Sequence, residues 1–110
     1  MRFFYLDTGL RNNIGHHANT CRVVTSELRR RGVEIFVAGS TQVIPELQAE
    51  LGVVPFFKFY TYRMGQRNPT GWIGWEEAFF EGVESTVEDL EKLPDTTAED
   101  VVYLNSAMPA

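Results

Sequence analysis

A chain of 110 residues, 44% hydrophobic and 23% charged, has the composition of one soluble globular domain, spanning residues 1–110. No apolar run approaches the ~20 residues that cross a bilayer, Asp7 and Arg11 come too early for a signal-peptide core, and the lone Cys21 excludes an internal disulfide and a multi-cysteine metal site, so the cytoplasm is the expected compartment. The net charge of −5 is divided unevenly, nine Lys/Arg against five Asp/Glu up to Trp75 and ten acids against Lys92 beyond it, which disfavours nucleic acid as a partner.

The chain opens on "RFFYLD" (2–7), apolar and aromatic with a turn signal behind it, which predicts a buried strand. A polar loop with Gly15, His16 and His17 comes next. Asn19 or Thr20 can cap the next helix, whose apolar stripe is Cys21, Val24 and Leu28. Gly32 ends it, and Arg29-Arg30-Arg31 in its last turn complement the helix dipole. "VEIFVAGS" (33–40) is a second strand. "PELQAELG" (45–52) is a short helix with proline at its first position and Ile44, Leu47 and Leu51 inward.

"VVPFFKFYTYR" (53–63) predicts a third strand, with Pro55 at its start or on a sheet edge. "MGQRNPTG" (64–71) is a loop. From Trp72 to Leu90 the apolar spacing is helical. Ser85-Thr86-Val87-Glu88 has the form of a capping box, which predicts two helices jointed near Gly82. "DVVYLNSAMPA" (100–110) supplies a fourth strand and a polar loop.

This β-α-β-α-β-α-β order, with strands hydrophobic on both faces, predicts an α/β protein: a Rossmann-like three-layer sandwich around a mostly parallel sheet of about four strands. A parallel strand that stops at Asn105–Ala110 has no helix after it. The expectation is an incomplete domain, the amino-terminal part of a longer two-domain protein. An uncovered sheet edge would also suit a homo-oligomer.

Ligands of such sheets bind at the carboxyl ends of the strands, which nominates the loops 7–20, 39–41, 62–71 and 105–109. Gly9 and Gly15 fit neither G-x-G-x-x-G nor G-x-x-x-x-G-K-[ST]. What remains is general physics: a glycine that lets backbone approach a ligand, and helix N–H groups that favour a phosphate. Adjacent histidines rarely reach one ion, so no metal is expected. One of His16 and His17 either packs at the helix start or hydrogen-bonds a hydroxyl-rich or phosphorylated ligand. Asp7 is either a turn residue bonding its own backbone or the first acid of a phosphotransfer site that lacks its second acid at Gly9. Cys21 is expected in the core. Glu77, Glu81, Glu84, Glu88 and Glu91 form a solvated face, and Trp72 and Trp75 belong to the core, a lid or an exposed platform.

The run "GHHANTCRVVTSELRRRGVEIFVAG", between two strands, resembles the opening of GT-B-fold glycosyltransferases, particularly the large family-4-like group of retaining transferases. Gly15-His16 matches the family's loop, and Leu28 with Arg31-Gly32-Val33-Glu34-Ile35 matches its helix exit. The likeness covers mainly residues 3–39 and 100–110. It implies the acceptor half of a transferase, moving a sugar from a nucleotide-sugar donor to a hydroxyl acceptor without a further cofactor. Gly15, His16 and His17 would face the donor phosphate and sugar. Arg11, Asn12, Asn105 and Ser106 would line the acceptor side. Most donor contacts would come from a carboxy-terminal domain, so these 110 residues alone would be inactive. The alternative is a stand-alone Rossmann-like binding or protein-interaction module without catalysis.

Overall fold

The computed structural model describes residues 1–13, 15–59 and 71–105, with residues 71–79 given by their backbone alone. Four strands and three helices alternate among the described residues: β1 (Arg2–Leu6), α1 (His16–Arg30), β2 (Glu34–Ser40), α2 (Pro45–Leu51), β3 (Val53–Phe57), α3 (Gly71–Leu90) and β4 (Val101–Leu104). All pairings are parallel, in the order β3-β2-β1-β4. Parallel neighbours need a crossover, and the helices supply it. The predicted α/β, Rossmann-like sandwich is the fold.

β1 sits inside the sheet, and its Phe4, Tyr5 and Leu6 are fully buried. Tyr5, with Val37 and Val53, faces Ala18 and Cys21 of α1 and Leu47 and Leu51 of α2. On the other face Phe4, Leu6, Ala38 and Phe57 pack with Leu90 and Leu93 at the end of α3. Each large apolar side chain so withdrawn from water contributes about 1.5–3 kcal/mol. Pro55 lies within the edge strand β3, where a missing N–H is tolerated, and the pairing slips between Gly39↔Pro55 and Ser40↔Phe57.

Three expectations change. α1 begins at His16, a turn before Asn19 and Thr20, with Gly15 as its N-cap residue. Those two caps are bypassed because a bond from His17 to Asp7 draws the helix start back, and Asn19 instead accepts from Arg22 Nη1 at 3.0 Å. α3 runs unbroken from Gly71 to Leu90, without a joint at Gly82 or a start at Ser85. Gly82 is there for space: a Cβ on it would stand 2.6 Å from the Phe59 ring. Thr86 points inward and is buried. The third strand ends at Phe57, and the part of its predicted span beyond residue 59 lies outside the described residues.

At the amino ends of the strands, Arg2 and Asp100 clamp β1 to the start of β4. Asp100 Oδ1 accepts the Arg2 backbone N–H at 3.0 Å, and its Oδ2 accepts Arg2 Nη2 at 2.9 Å and the Thr97 N–H at 2.9 Å. That leaves the opposite, carboxyl end of β1 and β4 for a ligand.

Candidate functional site

The chain leaving β1 is laid across the end of β2. Asp7 N–H donates to Ala38 O at 3.0 Å, Ser40 N–H to Leu10 O at 3.0 Å, and Ile44 N–H to Arg11 O at 2.8 Å. Leu10 is fully buried and plugs the core below. This crossing needs a residue without a side chain at position 39: a Cβ on Gly39 would meet Leu10 O at 2.9 Å and Val53 Cγ1 at 2.8 Å. The loop is therefore a fixed platform built by β1 and β2 together.

Asp7 stands at its head. Its Oδ1 accepts the Gly9 N–H at 2.8 Å, the turn bond that the sequence suggested. Its Oδ2 accepts from His17 Nδ1 at 2.8 Å and from Asn105 Nδ2 at 3.1 Å. Three elements thus meet on one carboxylate: the end of β1, the first turn of α1 and the residue after β4. Asp7 is 0% and His17 4% exposed. A carboxylate withdrawn from water this far is costly unless its oxygens are bonded, and three donors meet that need. Asn105 also donates its backbone N–H to Leu6 O at 2.8 Å, extending the β1–β4 ladder by one rung.

This is the place where strand order reverses. β2 and β3 lie on one side of β1 and β4 lies on the other, the position at which open α/β sheets take their ligands. α1 starts beside it. Gly15 has φ 88°, a conformation that side chains disfavour, and open space lies where its Cβ would be. Among the described residues no side-chain hydrogen bond caps α1 at Gly15, and no acid stands in its first turn, so the positive end of the helix dipole lies here. The His16 and His17 rings stack at 4.3 Å, with His16 exposed and His17 buried. Arg22 fixes the approach to Gly15 by donating to Asn13 Oδ1 at 3.1 Å and pairing with Glu50 of α2.

The residues singled out in the sequence fall into place unevenly. Gly15, His16, His17 and Asn105 gather at this end of the sheet. Arg11 and Asn12 are half-buried on the loop after β1. Ser106 and most of the 62–71 loop lie outside the described residues, as do the side chains of Trp72 and Trp75. Asp7 is the residue that sequence reasoning undervalued. Its signal was topological: a polar residue ending β1 and another ending β4 become neighbours once the sheet order is known. Cys21 is a core residue, and burial pushes its thiol up to about 12.

No family model matches the chain, and neither a curated protein nor a solved structure matches it. Among the described residues, no group of three or more His, Cys, Asp or Glu could hold a metal ion, and no helix is long and apolar enough to cross a membrane.

Proposed function

We propose that the chain contributes the acceptor side and the phosphate-facing glycine loop of a glycosyltransferase. The observation that carries this reading is the Asp7–His17–Asn105 cluster at the strand-order reversal, beside a helix start at Gly15. A helix N-terminus and its dipole suit a diphosphate. An imidazole and an amide side chain suit sugar hydroxyls, because each can donate and accept. In this division of labour the donor's nucleotide is held mainly by a further domain, and Arg11, Asn12, Asn105 and Ser106 line the acceptor side. Stabilising the charge that develops on the leaving diphosphate is then the chief task of the α1 amides. The single buried, free Cys21 suits a reducing compartment, and we place the protein in the cytoplasm.

The test is an amide chemical-shift titration of the chain with UDP-glucose and GDP-mannose. Half a site should bind weakly, with a Kd on the order of 1 mM, worth about 4 kcal/mol, and the shifts should centre on Gly15, His16, His17 and Asn105. Sub-micromolar binding by these residues alone would contradict the proposed division.

A second reading has its own observation. All four residues of β4 are exposed, Val101 to 40%, Val102 to 49%, Tyr103 to 38% and Leu104 to 47%, so apolar surface shows on both faces of the strand. An apolar edge strand of this kind can pair with a second copy of itself. Sedimentation equilibrium decides: a dimer broken by Val102→Lys favours the interaction module, and a monomer at high concentration removes it.

A further inference from the structure

We propose that the side of α3 carrying Phe80, Val83 and Val87, together with Val102 and Leu104 of β4, is a docking face for an amphipathic helix of a partner protein, one whose apolar stripe is bordered by Lys and Arg. This face lies across the sheet from α1, so it stands apart from the sugar reading of the α1 start.

α3 distributes its residues the wrong way round for a surface helix. Its buried side carries Gly82, Thr86 and Asp89. Asp89 Oδ2 accepts the Lys58 N–H at 2.8 Å, Gly82 makes room for the Phe59 ring, and the buried Thr86 hydroxyl makes no hydrogen bond among the described residues. Meanwhile Phe80 is 61% and Val87 48% exposed. Positions three, four and seven apart share one side of a helix, so Phe80, Val83, Val87 and Leu90 form a continuous stripe. A surface helix normally turns such a stripe inward. Left outside a helix that is anchored by other residues, it marks a contact with another body.

The stripe runs along the β4 side of α3. Asp89 reaches Lys58 just past the edge strand β3, whereas Leu90 packs on the cluster of Phe4, Leu6, Ala38 and Phe57. Turning from Asp89 to Leu90 is therefore a move inward from β3, and β4 lies beyond β1 in that direction. The register pairs Phe4↔Val102 and Leu6↔Leu104 put Val102 and Leu104 on the same sheet face as that cluster. Both are exposed. An apolar sheet face of a parallel α/β protein is ordinarily covered by a helix, which makes a helix the fitting occupant.

Charge decides which helix. Glu84, Glu88 and Glu91 border the stripe on its outer side, all exposed. The nearby cations already face acids: Lys58 and Lys92 lie 3.8 and 3.6 Å from Asp89, and Arg2 is paired with Asp100. A complementary partner must therefore bring its own basic residues. A second copy of this chain does not supply them. Among the described residues Val23 is the one large apolar side chain that α1 exposes, and Arg22, Arg29 and Arg30 beside it are engaged by Glu50, Leu51 O and Glu27.

The probe is a synthetic helical peptide of about 15–20 residues, with leucine at heptad spacing and lysine on both borders. Two controls carry glutamate for lysine, or the lysine peptide's residues in scrambled order. Amide shifts of the 15N-labelled chain report where each one binds. The lysine peptide should move Val83, Val87, Val102 and Leu104, bind at least about 10-fold tighter than the glutamate peptide, and weaken as salt rises. Val87→Ser and Leu104→Ser, both at exposed positions that the fold tolerates, should each weaken it about 3–20-fold. Equal binding of the scrambled peptide, or shifts on α3 with none in β4, overturns the proposal by showing charge attraction alone. The same amides moving as the chain is concentrated without peptide would assign the face to a second copy and overturn it too. So would the absence of binding by any of the three peptides.

Discussion

His17 rests on Gly9 at a distance that leaves no room for a methyl group: a Cβ on Gly9 would stand 2.5 Å from Cε1 of the imidazole. The glycine is there for space, since its backbone is not in the positive-φ region. The ring cannot back away freely either, because Nδ1 is held 2.8 Å from Asp7. Gly9→Ala should therefore cost about 1–3 kcal/mol through overpacking. In a domain of this size each 1 kcal/mol lowers Tm by roughly 4–8 °C. Thermal denaturation measures the loss, and the 15N shifts of the His17 ring show whether the Asp7 bond has broken with it.

Gly39→Ala and Gly82→Ala should separate platform from scaffold. A Cβ on Gly39 meets the Leu10 carbonyl, which is backbone and cannot rotate aside, so the 7–11 loop must lift. The expected cost is about 1–3 kcal/mol, accompanied by loss of the UDP-glucose shifts at Gly15. A Cβ on Gly82 meets only the Phe59 ring at 2.6 Å. There, overpacking of similar size is offset by about 1 kcal/mol of helix propensity. Gly82→Ala should thus be milder and leave the ligand shifts unchanged. Paired melts and titrations would expose any reversal of that order.

Tyr5 should be improved by losing its hydroxyl. The Tyr5 hydroxyl is buried and makes no hydrogen bond among the described residues, and burial pushes its pKa well above the usual range. An unbonded buried hydroxyl costs roughly 1–3 kcal/mol. Tyr5→Phe keeps the ring contact with Tyr103, whose centroid lies 5.3 Å away, and should stabilise the fold by up to about that amount. A drop in the urea midpoint would mean that the hydroxyl has a partner after all.

Acid should loosen the clamp at the other end of the sheet. The Arg2 guanidinium and the Thr97 N–H hold the Asp100 carboxyl well below the usual carboxylate range. A group whose folded pKa is depressed contributes stability above its unfolded pKa, near 3.9, and loses that contribution as pH falls toward the folded value. Urea midpoints should decline below about pH 4, and Asp100→Asn should flatten that decline while lowering the midpoint at neutral pH.

Cys21 should be inert in the native state. Its thiol is fully buried and pushed up to about 12, and the thiolate is the reactive form. Iodoacetamide labelling at mildly alkaline pH should track the unfolding transition in urea. Rapid labelling of the folded chain would place Cys21 nearer solvent than the α1 packing allows.

The fold was largely legible because each signal for it is local. Strand runs such as Phe3–Leu6 and Ile35–Ala38 are apolar on both faces, and the turn residues Gly32 and Gly52 sit at φ 77° and 68°, ending the helices that precede them. The errors came where a distant partner outweighed a local preference. Asn19 and Thr20 are good caps, but a bond from His17 to Asp7 draws the helix back to Gly15. Gly82 suggested a break, but Phe59 fills the space beside it. The site was half legible for the same reason. Gly15, His16 and His17 stand out as a polar stretch ahead of an apolar stripe, although the two histidines prove to be the first turn of the helix rather than a loop. Asp7 looks like any turn acid until Asn105, nearly the whole chain away, is set beside it by the sheet.

That separation has a consequence for how the protein comes into being. Both the Asp7–Asn105 contact and the Arg2–Asp100 clamp join residues 98 apart in sequence, so neither can form until almost all of this chain has left the ribosome. At 5–20 residues per second the interval is about 5–20 s. During it β1, β2 and β3 can assemble with α1 and α2, while one flank of β1 and the Asp7 carboxylate wait exposed. Such high contact order slows the closing step and leaves an open, apolar strand edge as the last vulnerable surface. The carboxylate that joins three elements is thus also among the last groups of these 110 residues to find its partners.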